Sequence, residues 1–227
     1  SAAPWFQANM AVWLENGGVW ALPNTRGGGE YGEAWHRAGI GRNKQNAIDD
    51  YIAAAEWLIA NGYTSRERFV ANTSSAGGPL VAAAIIQRPE LFGAAVIDYP
   101  LMDIFRAGEF TGGRQFARDY GSPDDPADLR AIVAYDPIRT PSPGKCYPAM
   151  MISPGERDET TVPMHAYKLA AALQHAQACA KPVLLRVTLG AEHAAGATLA
   201  DAVDTWADQL AFLSRALGLS RLSTSSQ

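Results

Sequence analysis

Apolar residues fall along this chain in short blocks, separated by longer stretches with helical spacing. Val19-Trp20-Ala21-Leu22 reads as a buried strand running into the glycine-rich Arg26-Gly27-Gly28-Gly29. Over residues 46–60, Ile48, Ile52, Ala55, Leu58 and Ile59 recur near the helical period, with Gly62 as C-terminal cap. Arg68-Phe69-Val70-Ala71 opens the next strand, and residues 78–87 continue as a largely apolar helix limited by Pro89. Residues 94–97, 149–152 and 183–187 read as further strands, and residues 164–178 as a helix between the last two. Residues 201–217 form a final amphipathic helix with Val203, Trp206, Leu210, Leu213 and Leu217 on one side.

Short apolar strands alternating with helices predict an α/β fold, a mostly parallel sheet with helices on both faces. Right-handed crossovers put every strand's C-terminal end on one edge, where such sheets bind ligands. Residues 103–145, rich in Gly, Pro, Asp and Arg, break the rhythm and predict short helices and loops over that edge. Residues 1–219 read as one domain and 220–227 as a frayed tail.

Composition narrows the picture by exclusion. Of 227 residues, 48% are apolar and 19% charged, enough for a sizeable core and unlike a disordered chain. The net charge is −4 with no basic stripe, so no nucleic-acid partner is expected. No apolar run reaches the roughly 18–20 residues of a membrane helix, and no leader pattern opens the chain. The expectation is a soluble protein, cytoplasmic or periplasmic. Cys146 and Cys179 have no metal spacing; they are either two free thiols or a disulfide joining the start of one strand to the end of the helix that returns from it.

The strongest local signal is Phe69-Val-Ala-Asn-Thr-Ser-Ser75-Ala-Gly-Gly78, followed at once by a helix. A serine on a tight strand-to-helix turn is a nucleophile elbow, which crowds strand against helix and demands small residues nearby. Only the register with Ser75 at the apex puts glycine two residues on, at Gly77. Thr73 stands where the G-x-S-x-G pattern has its first glycine, and a serine-capped turn without chemistry is the plainer alternative. A hydroxyl is a weak nucleophile and needs a base. Of the four histidines, His193 in Gly190-Ala-Glu-His193-Ala-Ala-Gly196 follows a strand end; His36, His165 and His175 lie in a loop or on a helix. The base needs a carboxylate to set its tautomer. Asp158 follows the 149–152 strand, with Glu156, Glu159 and Asp98 as rivals. Serine, then aspartate, then histidine is the chain order of the α/β-hydrolase fold.

Several longer segments carry a resemblance: Asn24-Thr-Arg-Gly-Gly-Gly-Glu-Tyr-Gly-Glu-Ala-Trp-His36, Lys44-Gln-Asn46 with Asp49-Asp50, Ala55-Glu-Trp-Leu-Ile-Ala-Asn-Gly-Tyr-Thr-Ser65, Gln87-Arg-Pro-Glu-Leu-Phe92 and Asp119-Tyr-Gly121. Together they resemble the prolyl oligopeptidase family over most of the chain. The resemblance implies an α/β-hydrolase catalytic domain with Ser75, Asp158 and His193 as triad. It implies further N-terminal strands, an oxyanion tyrosine and a β-propeller, whereas this sequence opens near Pro4-Trp5-Phe6. The backbone N–H of Ala76 is expected as one oxyanion donor. Phe116 falls where prolyl-specific members stack a tryptophan, and Thr160 where they carry an arginine that binds a substrate carbonyl. Phenylalanine stacks with less area, and threonine cannot replace a charged fork.

The expectation is therefore a serine peptidase with relaxed proline preference, acting on a peptide or small ester. No metal and no cofactor is expected. Phe116 and Tyr120 are expected as apolar walls of the substrate pocket, and Thr160 beside it. A carboxylesterase with the same triad, and an impaired fold kept for binding or self-association, are the rival readings.

Overall fold

The computed structural model describes residues 8–110, 113–193 and 198–219; the 220–227 tail lies outside the described residues. In chain order the elements are α1 (Ala8–Glu15), α2 (Glu33–Arg37), α3 (Lys44–Ala60), β1 (Val70–Ser74), α4 (Gly78–Gln87), β2 (Ala94–Asp98), α5 (Ala117–Tyr120), α6 (Pro126–Tyr135), β3 (Ala149–Ser153), α7 (Met164–Ala176), β4 (Val183–Leu185) and α8 (Leu199–Ala216). The described strands form a four-stranded parallel sheet in the order β1-β2-β3-β4. Asn72 pairs with Val96 and Val96 with Met151, so the C-terminal ends of β1, β2 and β3 finish level at Ser74, Asp98 and Ser153. That level edge is what lets the loops beyond the strands meet.

β2 and β3 are central, and every residue of β3 is buried, which is why both strands read as unbroken apolar runs rather than as alternation. One face of the sheet, with Ala95, Ile97, Met150 and Ile152, packs against Ala55 of α3, Val81 and Ile85 of α4, and Leu169 and Leu173 of α7. The other face, with Ala94, Val96 and Met151, packs against Phe212 and Leu213 of α8. Helices thus cover both faces, as the pattern predicts. Residues 103–145 form 3-10 turns, α5 and α6, also as predicted.

Helix ends differ from expectation for local reasons. α8 begins before Asp201 because Thr198 is its N-cap, in a capping box with Asp201. α7 stops before Gln177, whose side chain instead binds the main chain of Tyr147 and Lys181.

The strand expected at residues 19–22 is not formed. Val19, Trp20 and Leu22 are 58%, 39% and 52% exposed, without strand pairing. The open side of β1, an edge of the described sheet, does not pair with this run, so no ladder holds it extended. Its residues instead border an apolar cavity of about 660 Å³ together with Trp13, Trp206 and Leu210.

Cys146 and Cys179 form a disulfide, which settles the alternative left open by the sequence. It joins the segment entering β3 to the segment leaving α7, next to the Lys145–Gln177 bridge. Closing a loop with a separation of 33 residues restricts the unfolded chain by about 3–4 kcal/mol. Denaturant unfolding of the oxidised protein and of a Cys146→Ala/Cys179→Ala variant should show a loss near that size, with reductant producing the same loss in the wild type and none in the variant.

Candidate active site

The turn from β1 into α4 is the most constrained part of the edge. Ser75 has φ of +52°, a left-handed conformation that costs a side-chain-bearing residue energy. Its carbonyl accepts from the Leu101 N–H at 3.0 Å, and the Ala76 carbonyl accepts from the Tyr120 hydroxyl. Both bonds hold the turn from the loop side. A Cβ added to Gly77 would sit 2.8 Å from Thr73 Oγ1, and one added to Gly78 would sit 2.8 Å from the Leu101 carbonyl oxygen. The departure at Thr73 is thereby accommodated: its buried side chain fills the space that Gly77 leaves. The Ala76 N–H lies in the first turn leading into α4, where amide protons have no acceptor within the helix.

The loop after β4 brings His193 over this turn. Its Nε2 is 2.8 Å from Ser75 Oγ, and its Nδ1 is 2.8 Å from Asp158 Oδ2. A carboxylate only accepts, so the proton sits on Nδ1 and Nε2 is free to take the serine proton. The loops carrying Asp158 and His193 are laced together. Glu156 N–H donates to the Thr188 carbonyl and Arg157 N–H to the Ala191 carbonyl. Gly155 permits this approach, since a Cβ there would lie 2.2 Å from the Glu192 carbonyl oxygen.

Asp158 is buried, and its carboxylate is fully engaged. Oδ1 accepts from the N–H groups of Thr160 and Thr161, both at 2.8 Å, and Oδ2 faces both His193 and the Thr161 hydroxyl. The rivals are occupied elsewhere. Glu156 accepts from the Gly190 N–H, Glu159 is exposed, and Asp98 accepts from Gln209, with burial pushing its carboxyl up to about 6. Among the other histidines, His36 Nδ1 faces the Gly27 carbonyl, and His175 is exposed near the end of α7. His165 is buried and accepts from the Asp103 N–H; burial holds it down at about 4, so it is neutral at physiological pH.

Phe116 and Tyr120 are both buried, in a cluster with Leu101, Ile104 and Ile132 against which Ala76 packs. They border a hollow of about 430 Å³ lined by residues between Ile104 and Asp124 alone, and Ser75 does not line it. Tyr120 acts on the turn directly, through the hydroxyl that grips the Ala76 carbonyl, while Lys44 Nζ lies 4.4 Å from its ring centroid. Thr160 is half-buried and meets the site through its main-chain N–H rather than its side chain. Two residues that the sequence did not single out also border His193. The Tyr99 ring meets the imidazole edge-on with centroids 4.8 Å apart, and Thr161 Oγ1 lies 3.1 Å from Nδ1. Tyr99 directly follows β2, and Thr161 lies three residues after Asp158; those positions were the only hint at either. Among the described residues, no group of His, Cys, Asp and Glu is placed to hold a metal ion.

A hydroxyl on a strained turn, an imidazole in line and a buried carboxylate behind it can pass one proton from oxygen to nitrogen. Residues 4–220 match the Prolyl oligopeptidase family. The chain belongs to that family. It is 40% identical over 223 residues to a prolyl endopeptidase of Elizabethkingia miricola, covering 98% of this chain and 32% of that one. A solved prolyl endopeptidase structure superposes with a TM-score of 0.90 at 41% identity, over 95% of this chain and 32% of the other. A post-proline cleaving enzyme from Rickettsia typhi superposes with a TM-score of 0.88 at 33% identity, over 96% of this chain and 31% of its own. The chain thus spans about a third of the length of the relatives it matches. The four-stranded parallel sheet with helices on both faces is that of the family's α/β-hydrolase catalytic domain.

Two outcomes follow from this geometry. Gly77→Ala should lower stability by about 1–3 kcal/mol through the clash with Thr73 Oγ1, and most of that loss should vanish in a Thr73→Ala background, as read by a double-mutant cycle in denaturant. Ionised Asp98 is disfavoured in the fold, so its penalty is absent below about pH 4, develops as pH rises through about 6 and then stays constant. Asp98→Asn should therefore gain stability relative to wild type between pH 4 and pH 8, on the order of 2–3 kcal/mol, in a thermal-unfolding pH series.

Proposed function

We propose that this chain is the catalytic part of a serine peptidase of prolyl oligopeptidase type. The observation that carries the reading is the continuous path from Ser75 Oγ through His193 to Asp158, with 2.8 Å at each step. Ser75 attacks the substrate carbonyl while His193 Nε2 takes its proton. Asp158 orients the imidazole and stabilises the imidazolium that forms. The Ala76 N–H is one donor to the tetrahedral oxyanion, and the positive end of α4 lies behind it. His193 then protonates the leaving amine. Water then attacks the acyl carbonyl while His193 takes its proton, and His193 returns that proton to Ser75 Oγ as the acid product leaves.

The relatives named above are called prolyl endopeptidases or post-proline cleaving enzymes, which supports a peptide substrate. A strict preference for proline is not part of the proposal. Phe116 offers less stacking area than a tryptophan, and Thr160 supplies no guanidinium for a substrate carbonyl. Those same two positions favour a second reading, a carboxylesterase with the same triad, because an ester asks for neither contact. The Cys146–Cys179 disulfide supports an oxidising compartment, the periplasmic rather than the cytoplasmic option. No described helix is long and apolar enough to cross a membrane.

A fluorophosphonate probe should label the wild-type protein at Ser75, and Ser75→Ala should carry no label while keeping its unfolding midpoint. Turnover of a proline-containing peptide and of a matched p-nitrophenyl ester should both fall on the order of 10⁴-fold or more in Ser75→Ala and in His193→Ala. The ratio of peptide to ester turnover in the wild type decides between peptidase and esterase. A folded wild-type protein that takes no Ser75-dependent label would sink the reading.

A further inference from the structure

Thr161 is 1% exposed, and its single hydroxyl proton has several possible partners. Oγ1 lies 2.6 Å from the Tyr99 carbonyl oxygen, 3.0 Å from Asp158 Oδ2 and 3.1 Å from His193 Nδ1. Neither a carbonyl nor a carboxylate oxygen can donate, so the one Thr161 proton is shared between the Tyr99 carbonyl, the nearer, and Asp158 Oδ2. The hydroxyl oxygen also lies 3.1 Å from the imidazole Nδ1, beside the Nδ1–H that points at Asp158 Oδ2.

Tyr99 is the other unusual residue at this edge. Its φ is +33°, and among the described residues other than glycine only it and Ser75 have a positive φ. Such a backbone persists only where its surroundings over-determine it. Here its N–H donates to the Ser153 carbonyl at 2.7 Å and its carbonyl accepts from Thr161. Pro100 follows, narrowing the backbone further. The held turn presents the Tyr99 ring edge-on to the His193 imidazole. Thr161 thus touches the base, the carboxylate behind it and the strained turn whose ring packs on the base.

We propose that Thr161 and Tyr99 form a positioning unit that fixes the imidazole plane of His193. The Thr161 hydroxyl holds the Nδ1 edge, and the Tyr99 ring holds one side. The unit acts through His193. This inference rests on the serine-hydrolase reading of the same site.

The test measures fluorophosphonate labelling rate, and kcat and KM for a p-nitrophenyl ester, in wild type, Thr161→Val, Thr161→Ser and Tyr99→Leu. Thr161→Val keeps the shape and removes the hydroxyl. It should lower the labelling rate and kcat about tenfold, with KM changed less than twofold. Thr161→Ser should restore most of the loss, and Tyr99→Leu should lower kcat with the Thr161 hydroxyl intact. The downfield proton resonance of His193 Nδ1–H should be sharp in wild type and Thr161→Ser, and broadened in Thr161→Val. If Thr161→Val fails to fold, Thr161→Ser and Tyr99→Leu decide: loss of rate on Thr161→Ser, or none on Tyr99→Leu, overturns the proposal. Wild-type rates and an unchanged resonance in folded Thr161→Val also overturn it. A wild type that does not label removes the hydrolase reading itself, and the proposal falls with it.

Discussion

A carboxylate taken out of water must find hydrogen-bond donors, and the arrangement at the sheet edge is organised by that demand at Asp158. Its donors come from separate pieces of chain: the turn that follows it supplies Thr160 and Thr161, and the loop after β4 supplies His193. Satisfying the carboxylate therefore fixes where that loop must lie. The fixed loop in turn brings Nε2 within reach of Ser75, which its own strained turn has lifted to meet it. Geometry useful for proton transfer and geometry required for burial are the same here, so the site does not rely on mobile side chains finding each other.

The elbow shows how a local departure can be absorbed without changing the architecture. A threonine where the turn ordinarily wants glycine adds a hydroxyl and a methyl under the helix start. The structure places Thr73 Oγ1 in the volume that any side chain on residue 77 would need. The crowding is thus divided between the two positions, and only one of them must be bare. The Leu101 N–H and the Tyr120 hydroxyl then hold the Ser75 and Ala76 carbonyls from outside the helix. Tyr120 is thus a brace for the Ser75 turn.

Much of this was legible because periodicity reports burial. β2 and β3 lie between helices on both faces and read as unbroken apolar blocks; α4 is apolar throughout because nearly all of it is buried. Ser75, Asp158 and His193 were legible as strand-end residues in a telling order. The segment at 19–22 misled because an apolar run states a wish for burial, not the partner that provides it, and no described strand pairs with it. Tyr99 and Thr161 were invisible for a different reason. Threonine after a carboxylate and tyrosine before a proline are ordinary, and their meaning lies in a left-handed backbone and a contact between chain segments 62 residues apart. The disulfide lay between these cases: topology brought the cysteines to one side, but only coordinates could join them.

Carboxylates beyond the C-terminal ends of these strands have quite different lives, and the donors around them account for the difference. Asp98 is favoured as a carboxylate by the Gln209 amide, by Ser153 and by the charge of Arg186, but burial outweighs them and its carboxyl is pushed up to about 6. Asp103 is buried against the Lys168 ammonium, with the Arg106 and Arg139 guanidinium groups at 4.0 and 3.7 Å, and ties the 103–145 segment to α7. Asp158 has no Lys or Arg partner among its described contacts, and is held by main-chain amides, a hydroxyl and an imidazole. A guanidinium at that position would have competed with the imidazolium for the same negative charge. Neutral donors bury the carboxylate without cancelling it, and that leaves its charge facing the imidazole Nδ1.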